Sequence, residues 1–279
     1  MLRSLLSPSV HSLSFPENSH SNTFSSPHPP RRLLRFRISH RENLRYLKTL
    51  GIIDAETKTH KAPSPETLRQ IISTVDFFKS KGFHDPDFPR LAFLCPDLFS
   101  PSFSYARIES VFDFLASDVA ASGEESRGLI LRCPRLLCSS AEFCLKPTLN
   151  YLRELGLENL NSPTNLNAHL LNTRIEKLEK KIKFLRSVGF SHEESAKICA
   201  RLPAIFGYSV ETNLKPKTEF LVREMKRGSK ELMEFPQYFG FSLGKKIMPR
   251  HMHLKQKNVR VPLKAMLLCS DKRFYSKWK

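Results

Sequence analysis

A chain of 279 residues, 40% of them hydrophobic, is long enough to bury a core as one domain or two, and its 45 basic against 27 acidic residues leave a formal charge of +18 that asks for an anionic partner or compartment. No run of about 18 apolar residues occurs, so no transmembrane helix and no membrane partner are expected. The charge is terminal: residues 1–40 carry +4 and residues 245–279 carry +10, which leaves +4 for all of 41–244.

Residues 1–40 hold ten Ser and a single acid, Glu17, while Pro16, Pro27, Pro29 and Pro30 interrupt any long helix. A Ser-rich, acid-poor stretch with late Arg residues has the composition of an organelle transit peptide. The long Ser/Pro-rich part ahead of the Arg cluster favours the chloroplast; the opening MLRSLL leaves a mitochondrial presequence as the alternative. A disordered tail without an address is the plainer reading. Residues 41–63 read as a linker.

Helical periodicity begins at residue 64. Leu68, Ile71, Ile72, Val75 and Phe78 recur on one face, with Ser64 placed to cap, Pro65 at the first helical position and Gly82 as the stop. The stretch RCPRLLCSSAEFCLKPTLNYL (132–152) then aligns without a gap on RLPAIFGYSVETNLKPKTEFL (201–221) and on EFPQYFGFSLGKKIMPRHMHL (234–254). Pro134, Pro203 and Pro236 each precede a Ser by six residues (Ser140, Ser209, Ser242) and a second Pro by 13 (Pro147, Pro216, Pro249). A fourth copy keeps Pro96, Ser102 and Leu115 with one inserted residue and no second Pro. A fifth keeps only the apolar positions Leu170, Leu171 and Leu185. The closing Leu of each copy falls at 115, 152, 185, 221 and 254, steps of 37, 33, 36 and 33. A period of that size signals stacked supersecondary units. Each unit reads as a helix ending at Gly (Gly156, Gly189), a second helix ending near Pro, and a short turn to the next Pro, with Pro147, Pro216 and Pro249 starting the following helix. Ser191 and Glu194 form a capping box within this pattern. No strand periodicity stands out. The expected fold is all-α: an α-solenoid of tandem helical repeats over 64–254 with an extended concave face, followed by a basic segment, 255–279.

The elements LAFLCPDLF, LILRCPRLL and ICARLPAIF, followed by Ser and then by LKP and FL, resemble the mitochondrial transcription termination factor (mTERF) family over roughly residues 64–254. The basic ending FYSKWK is similar to that of short plastid members. The resemblance implies a superhelix that binds double-stranded nucleic acid through a basic inner surface. It also implies a role in organelle transcription termination, transcript processing or intron splicing.

Catalytic chemistry finds no constellation. GFSLGKK (240–246) has the wrong glycine spacing for a phosphate loop and lacks the following Ser/Thr, and His192–Glu193–Glu194 lacks the second His of a zinc-protease helix. His251 and His253 stand among cations, which disfavours a metal and leaves solvated or phosphate-facing roles. Cys95, Cys133, Cys138, Cys144, Cys199 and Cys269 fit no common zinc spacing, and are expected as buried, reduced thiols in a reducing compartment. No enzyme activity, cofactor or metal is expected.

The expected partner is nucleic acid, duplex DNA or structured RNA. Lys245, Lys246, Arg250, Lys255, Lys257, Arg260 and Lys264 would contact phosphates, with Ile247, Met248, Met252 and Leu254 turned into the stack. Arg132 and Arg201, two residues before equivalent prolines, and Lys146 and Lys215, just before the second ones, would add a stripe along the repeats; favourable charge at helix C-termini is the competing explanation. Phe274, Tyr275 and Trp278 either stack on bases or dock on the last repeat. The chain would act as a monomeric clamp that blocks a polymerase or shields RNA, with organelle transcription or splicing proteins as further partners. A non-catalytic protein-interaction scaffold is the rival, favoured by the near-neutral middle; a one-base-per-repeat RNA reader is disfavoured by the fixed prolines.

Overall fold

The computed structural model describes residues 39–56, 63–100 and 103–279. The expected leader up to Ile38, and Ser102 of the first copy, lie outside the described residues. Ser39–Lys279 form one unit, and every regular element described in it is helical. The fold is all-α, a stack of tandem helical repeats.

The segment expected as a linker supplies the first helix, α1 (His40–Thr49), closed by a Ser39–Glu42 capping box, with Leu44 and Leu47 buried. It packs on α2 (Pro65–Ser80), which starts as the sequence predicts: Ser64 Oγ accepts from the Thr67 N–H and Pro65 opens the first turn. Gly82 follows in the left-handed region at φ 86°, which a residue without Cβ adopts freely.

Five units follow. The first has α3 (Phe88–Leu94), a 3-10 turn (Pro96–Phe99) and α4 (Tyr105–Asp113). The second has α5 (Gly123–Arg132), a turn at Pro134–Cys138 and α6 (Lys146–Glu154). The third, which lacks both repeat prolines, joins α7 (Asn165–Leu171) to α8 (Ile175–Ser187). The fourth has α9 (His192–Arg201), a turn at Pro203–Gly207 and α10 (Lys215–Glu219); the fifth has α11 (Glu231–Glu234), a turn at Pro236–Gly240 and α12 (Met248–Gln256).

The two prolines do different work. The first ends a helix, because its ring forces the preceding residue out of the α region. Cys95, Cys133, Leu202 and Phe235 accordingly share one conformation, with φ/ψ of −146°/68°, −137°/77°, −138°/71° and −137°/69°. The second proline does not start its helix, as the sequence suggests; it lies inside one that begins earlier. Ser140, Ser209 and Ser242 are the N-caps, each accepting from the N–H three residues on, and a π-helical turn (Ala141–Leu145, Val210–Leu214, Leu243–Ile247) leads into α6, α10 and α12. In an α-turn the Pro ring strikes the carbonyl four residues back. Opening the turn by one residue relieves this, and each Ser carbonyl then accepts from the N–H groups both four and five residues on. Helices α4 and α8, which lack this proline, start as plain α-helices. In the first unit the N-cap position is Ser104, which makes no side-chain capping hydrogen bond.

The closing Leu markers prove to be core positions: Leu115, Leu152, Leu185 and Leu221 are 0% exposed and Leu254 3%. Units stack in chain order, α5 on α7, α6 on α8 and α9 on α11. The expected basic tail is folded too. Helices α13 (Leu263–Leu267) and α14 (Asp271–Lys277) bury Leu263, Met266, Leu267 and Phe274.

The cysteines depart in part from expectation. Cys133 and Cys199 are buried and free, the Cys199 thiol being pushed up to about 12 by burial. Cys144 is exposed and Cys269 half-buried. Cys95 and Cys138, 43 residues apart, bring their sulfur atoms together across neighbouring 3-10 turns with Cα atoms 7.7 Å apart. That separation exceeds the roughly 4.4–6.8 Å spanned by disulfides, so the pair stands as apposed thiols rather than as a staple.

Candidate nucleic-acid interface

The Ser242 cap fixes the first turn of the last repeat helix, and the following residues sort by helical face. Ile247, Arg250 and Leu254 are buried. Lys245, Met248, Met252 and Lys255 fall three, four and three residues apart on the opposite face, and all four are exposed. Met248 and Met252, expected in the stack, are 41% and 49% exposed. Lys257 and Lys264 are exposed as well. Lys246 is half-buried with its ammonium 4.8 Å above the Phe241 ring. Arg260 is exposed and reaches the Lys226 carbonyl only at 3.5 Å.

Arg250 is the clear correction. Its guanidinium is 1% exposed and donates to Asp271 Oδ1 at 2.5 Å, to the Met266 carbonyl at 2.5 Å and to the Cys269 carbonyl at 2.9 Å, with Phe274 4.5 Å from its centre. Arg250 therefore ties α14 to α12 and is closed to a phosphate. Its hydrogen bond holds the Asp271 carboxyl below the usual carboxylate range. Asp271 is the sole acid among residues 245–279; it stays 72% exposed but its partner is Arg250, and among the described residues no ion pair engages Lys245, Lys255, Lys257 or Lys264.

His251 packs edge-on against Phe220, and burial, then Lys255 and Arg227, hold its imidazole below the ordinary value. His253 Nε2 lies 2.5 Å from the Trp278 carbonyl. Neither histidine is a free phosphate contact. Phe274 is fully buried, so the aromatic cluster docks on the last repeat, leaving Tyr275 39% exposed.

The expected stripe along the repeats is taken up by local pairing. Arg201 donates to the carbonyls of Met233 and Glu234 at the end of α11, and Arg132 to Gly128 within its own helix. Lys146 pairs with Glu142 at 2.8 Å and Lys215 with Glu211 at 3.8 Å, each one turn back. Arg90, Arg153 and Arg227 likewise donate to carbonyls of neighbouring segments. Arg90 and Arg201 reach carbonyls at the C-terminal ends of neighbouring helices, where the dipole favours a cation.

The structure also presents cations that net charge conceals. A groove of about 1050 Å³ opens across the first three units and is lined by Arg107, Arg135, Arg174 and Lys177, all exposed. Among the described residues no acid pairs with any of them. A sequence signal existed. Arg107, Lys177 and Lys245 each lie three residues after the N-cap position of their helix, Ser104, Arg174 and Ser242. Seeing that register required knowing where the helices start. Among the described residues no group of three His, Cys, Asp or Glu is arranged to hold a metal ion.

The mTERF family model matches residues 122–275, more than half of the chain. The chain is 36% identical over 98 residues to Transcription termination factor MTERF2, chloroplastic, of Arabidopsis thaliana, covering 35% of this chain and 15% of that protein. It is 30% identical over 141 residues to Transcription termination factor MTERF4, chloroplastic, of the same plant, covering 47% and 25%. Similarity to Transcription termination factor MTERF8, chloroplastic, also of Arabidopsis thaliana, extends over 242 residues at 24% identity, 74% of this chain and 48% of that protein. The chain thus spans less than half the length of each of these relatives.

Proposed function

The chain belongs to the mTERF family, and from that premise we propose that it is a monomeric, non-catalytic nucleic-acid-binding factor of the chloroplast. It acts on transcription by termination, or on the transcripts by processing or splicing. The plastid assignment agrees with the leader composition and with the chloroplastic relatives. The observation that carries the reading is the exposed set Lys245, Lys255, Lys257 and Lys264, in a segment whose sole acid, Asp271, is already bound to Arg250. Phosphates drawn to such a surface release condensed counterions, which supplies affinity without sequence readout. Duplex DNA or structured RNA held there would stand in the way of a polymerase or a nuclease.

Filter binding of a duplex over a salt series tests this. Changing Lys245, Lys255, Lys257 and Lys264 together to Gln should flatten the slope of log K against log salt by about 3 to 4, near 0.9 for each phosphate no longer neutralised. A slope equal to that of the parent protein would sink the assignment. A second reading, a docking scaffold for organelle gene-expression proteins, draws on Met248 and Met252, exposed between these lysines and adaptable in packing. Met248→Ser with Met252→Ser should spare duplex binding if the first reading holds.

A further inference from the structure

Phe143 is 85% exposed, an unusual place for a benzyl ring in a unit whose other aromatic and aliphatic side chains are buried or half-buried. It stands three residues after the capping Ser140, in the register that carries Arg107 and Lys177 in the flanking units. It lines the same groove as Arg107, Arg135, Arg174 and Lys177. The floor is held by hydrogen bonds that join the second and third units: Ser139 Oγ to Asn172 Oδ1 at 2.7 Å, and Thr148 Oγ1 to the Thr173 carbonyl at 3.0 Å. Asp97 and Glu176 also stand in the lining, so cations outnumber acids two to one.

We propose that this groove binds an unpaired nucleic-acid strand, with phosphates on the four cations and one base stacked on Phe143. The inference rests on the nucleic-acid reading above and adds a second site with a different substrate class. A duplex keeps its bases stacked on one another and shows only their edges, so an exposed ring gains little from it. An unpaired strand offers π-faces of any sequence, and each base stacked on an aromatic side chain contributes substantially. The cations come from three successive units on one rigid floor, which suits successive phosphates of an extended strand. The groove and the terminal lysines together would let the chain hold a junction, duplex at the last repeat and open strand at the first.

The test uses the full chain with three probes: a 12-nucleotide single-stranded RNA, the matching single-stranded DNA, and the 12-base-pair duplex, each carrying 2-aminopurine as a stacking reporter. Phe143→Ala should weaken both single strands roughly tenfold, within the range of one lost stacked base. It should also remove the 2-aminopurine quenching and leave the duplex constant unchanged. Arg135→Gln with Arg174→Gln should weaken the single strands and flatten their salt slope, while Lys245→Gln with Lys255→Gln should act on the duplex. Equal RNA and DNA affinities would assign recognition to phosphate and base alone, and tighter RNA binding would add the 2′-hydroxyl; either outcome supports the site. Single-strand affinity indifferent to Phe143→Ala, or an acidic peptide of equal charge competing as well as the strand, overturns it. If duplex binding then still depends on the terminal lysines, the function proposed above survives. If no probe binds, both fail.

Discussion

Arg250 shows how little a residue's type says about its use. In sequence it is one of eleven cations in the last 35 residues; in the fold it is the buried tie between α12 and α14, serving Asp271, two carbonyls and the face of Phe274. Arg250→Ala leaves those carbonyls unpaired beside a cavity and should cost about 3 kcal/mol, read by urea unfolding through Trp278, the only tryptophan. Arg250→Met should restore part of that stability and keep the parent's salt slope for duplex binding, because the side chain never met a phosphate. Asp271 gives the matching pH dependence. Its folded value lies below 3.8 because Arg250 donates to it, so its contribution is complete above the unfolded value and disappears as pH falls through the folded one. Because the Asp271 side chain is 72% exposed, water screens the pair and the effect should be small: urea unfolding followed through Trp278 should show a slight loss of stability as pH falls through the carboxylate range, and Asp271→Asn should remove that pH dependence while α14 stays docked through Phe274.

Among the helices, packing overrides local propensity at Gly128. Alanine at this position in α5 would gain about 1 kcal/mol of helix propensity. Its Cβ would sit 2.6 Å from Pro163 Cβ, a ring that cannot swing away, and overpacking of this kind costs about 1–3 kcal/mol. Gly128→Ala should therefore lower the thermal midpoint; a rise would show that α5 and α7 can separate freely. The second prolines lead to a sharper expectation. A crystal structure of Pro216→Ala should show the turn at 210–214 closing to α-helical geometry, with the Leu214 N–H moving from the Ser209 carbonyl to that of Val210. Ser191→Ala, which breaks a capping box present in the fold, should cost about 1 kcal/mol in urea denaturation. Caps and stops of this kind were legible in advance, at Ser64, Pro65, Gly82, Ser191 and Glu194, because they depend only on the chain within a few residues. The three π-turns after Ser140, Ser209 and Ser242 were not, since they arise where a cap and a proline compete within one helix; two others, Phe114–Asp118 and Phe220–Glu224, form without a proline and nothing in the structure explains them.

A stack in which each unit touches mainly its neighbours should lose structure piecewise. Phe274→Ala should raise hydrogen exchange in α12–α14 and leave α2–α4 protected; uniform loss of protection would mean one cooperative core instead. The repeat, its period, the buried Leu of each copy and the all-α class all follow from the order of residues, because periodic apolar positions and prolines act through local sterics and burial. That order also pointed to the cations of the last repeat. Which of those cations are available is a matter of how the units pack. Arg250 and Arg201 are occupied by partners on segments far along the chain, Lys146 and Lys215 only lean on Glu142 and Glu211 one turn back, and Arg107, Arg135, Arg174 and Lys177 converge from three units that the chain order keeps apart. A charge is free or spent according to what stands within a few ångströms of it, and that distance is set by the stacking of the units.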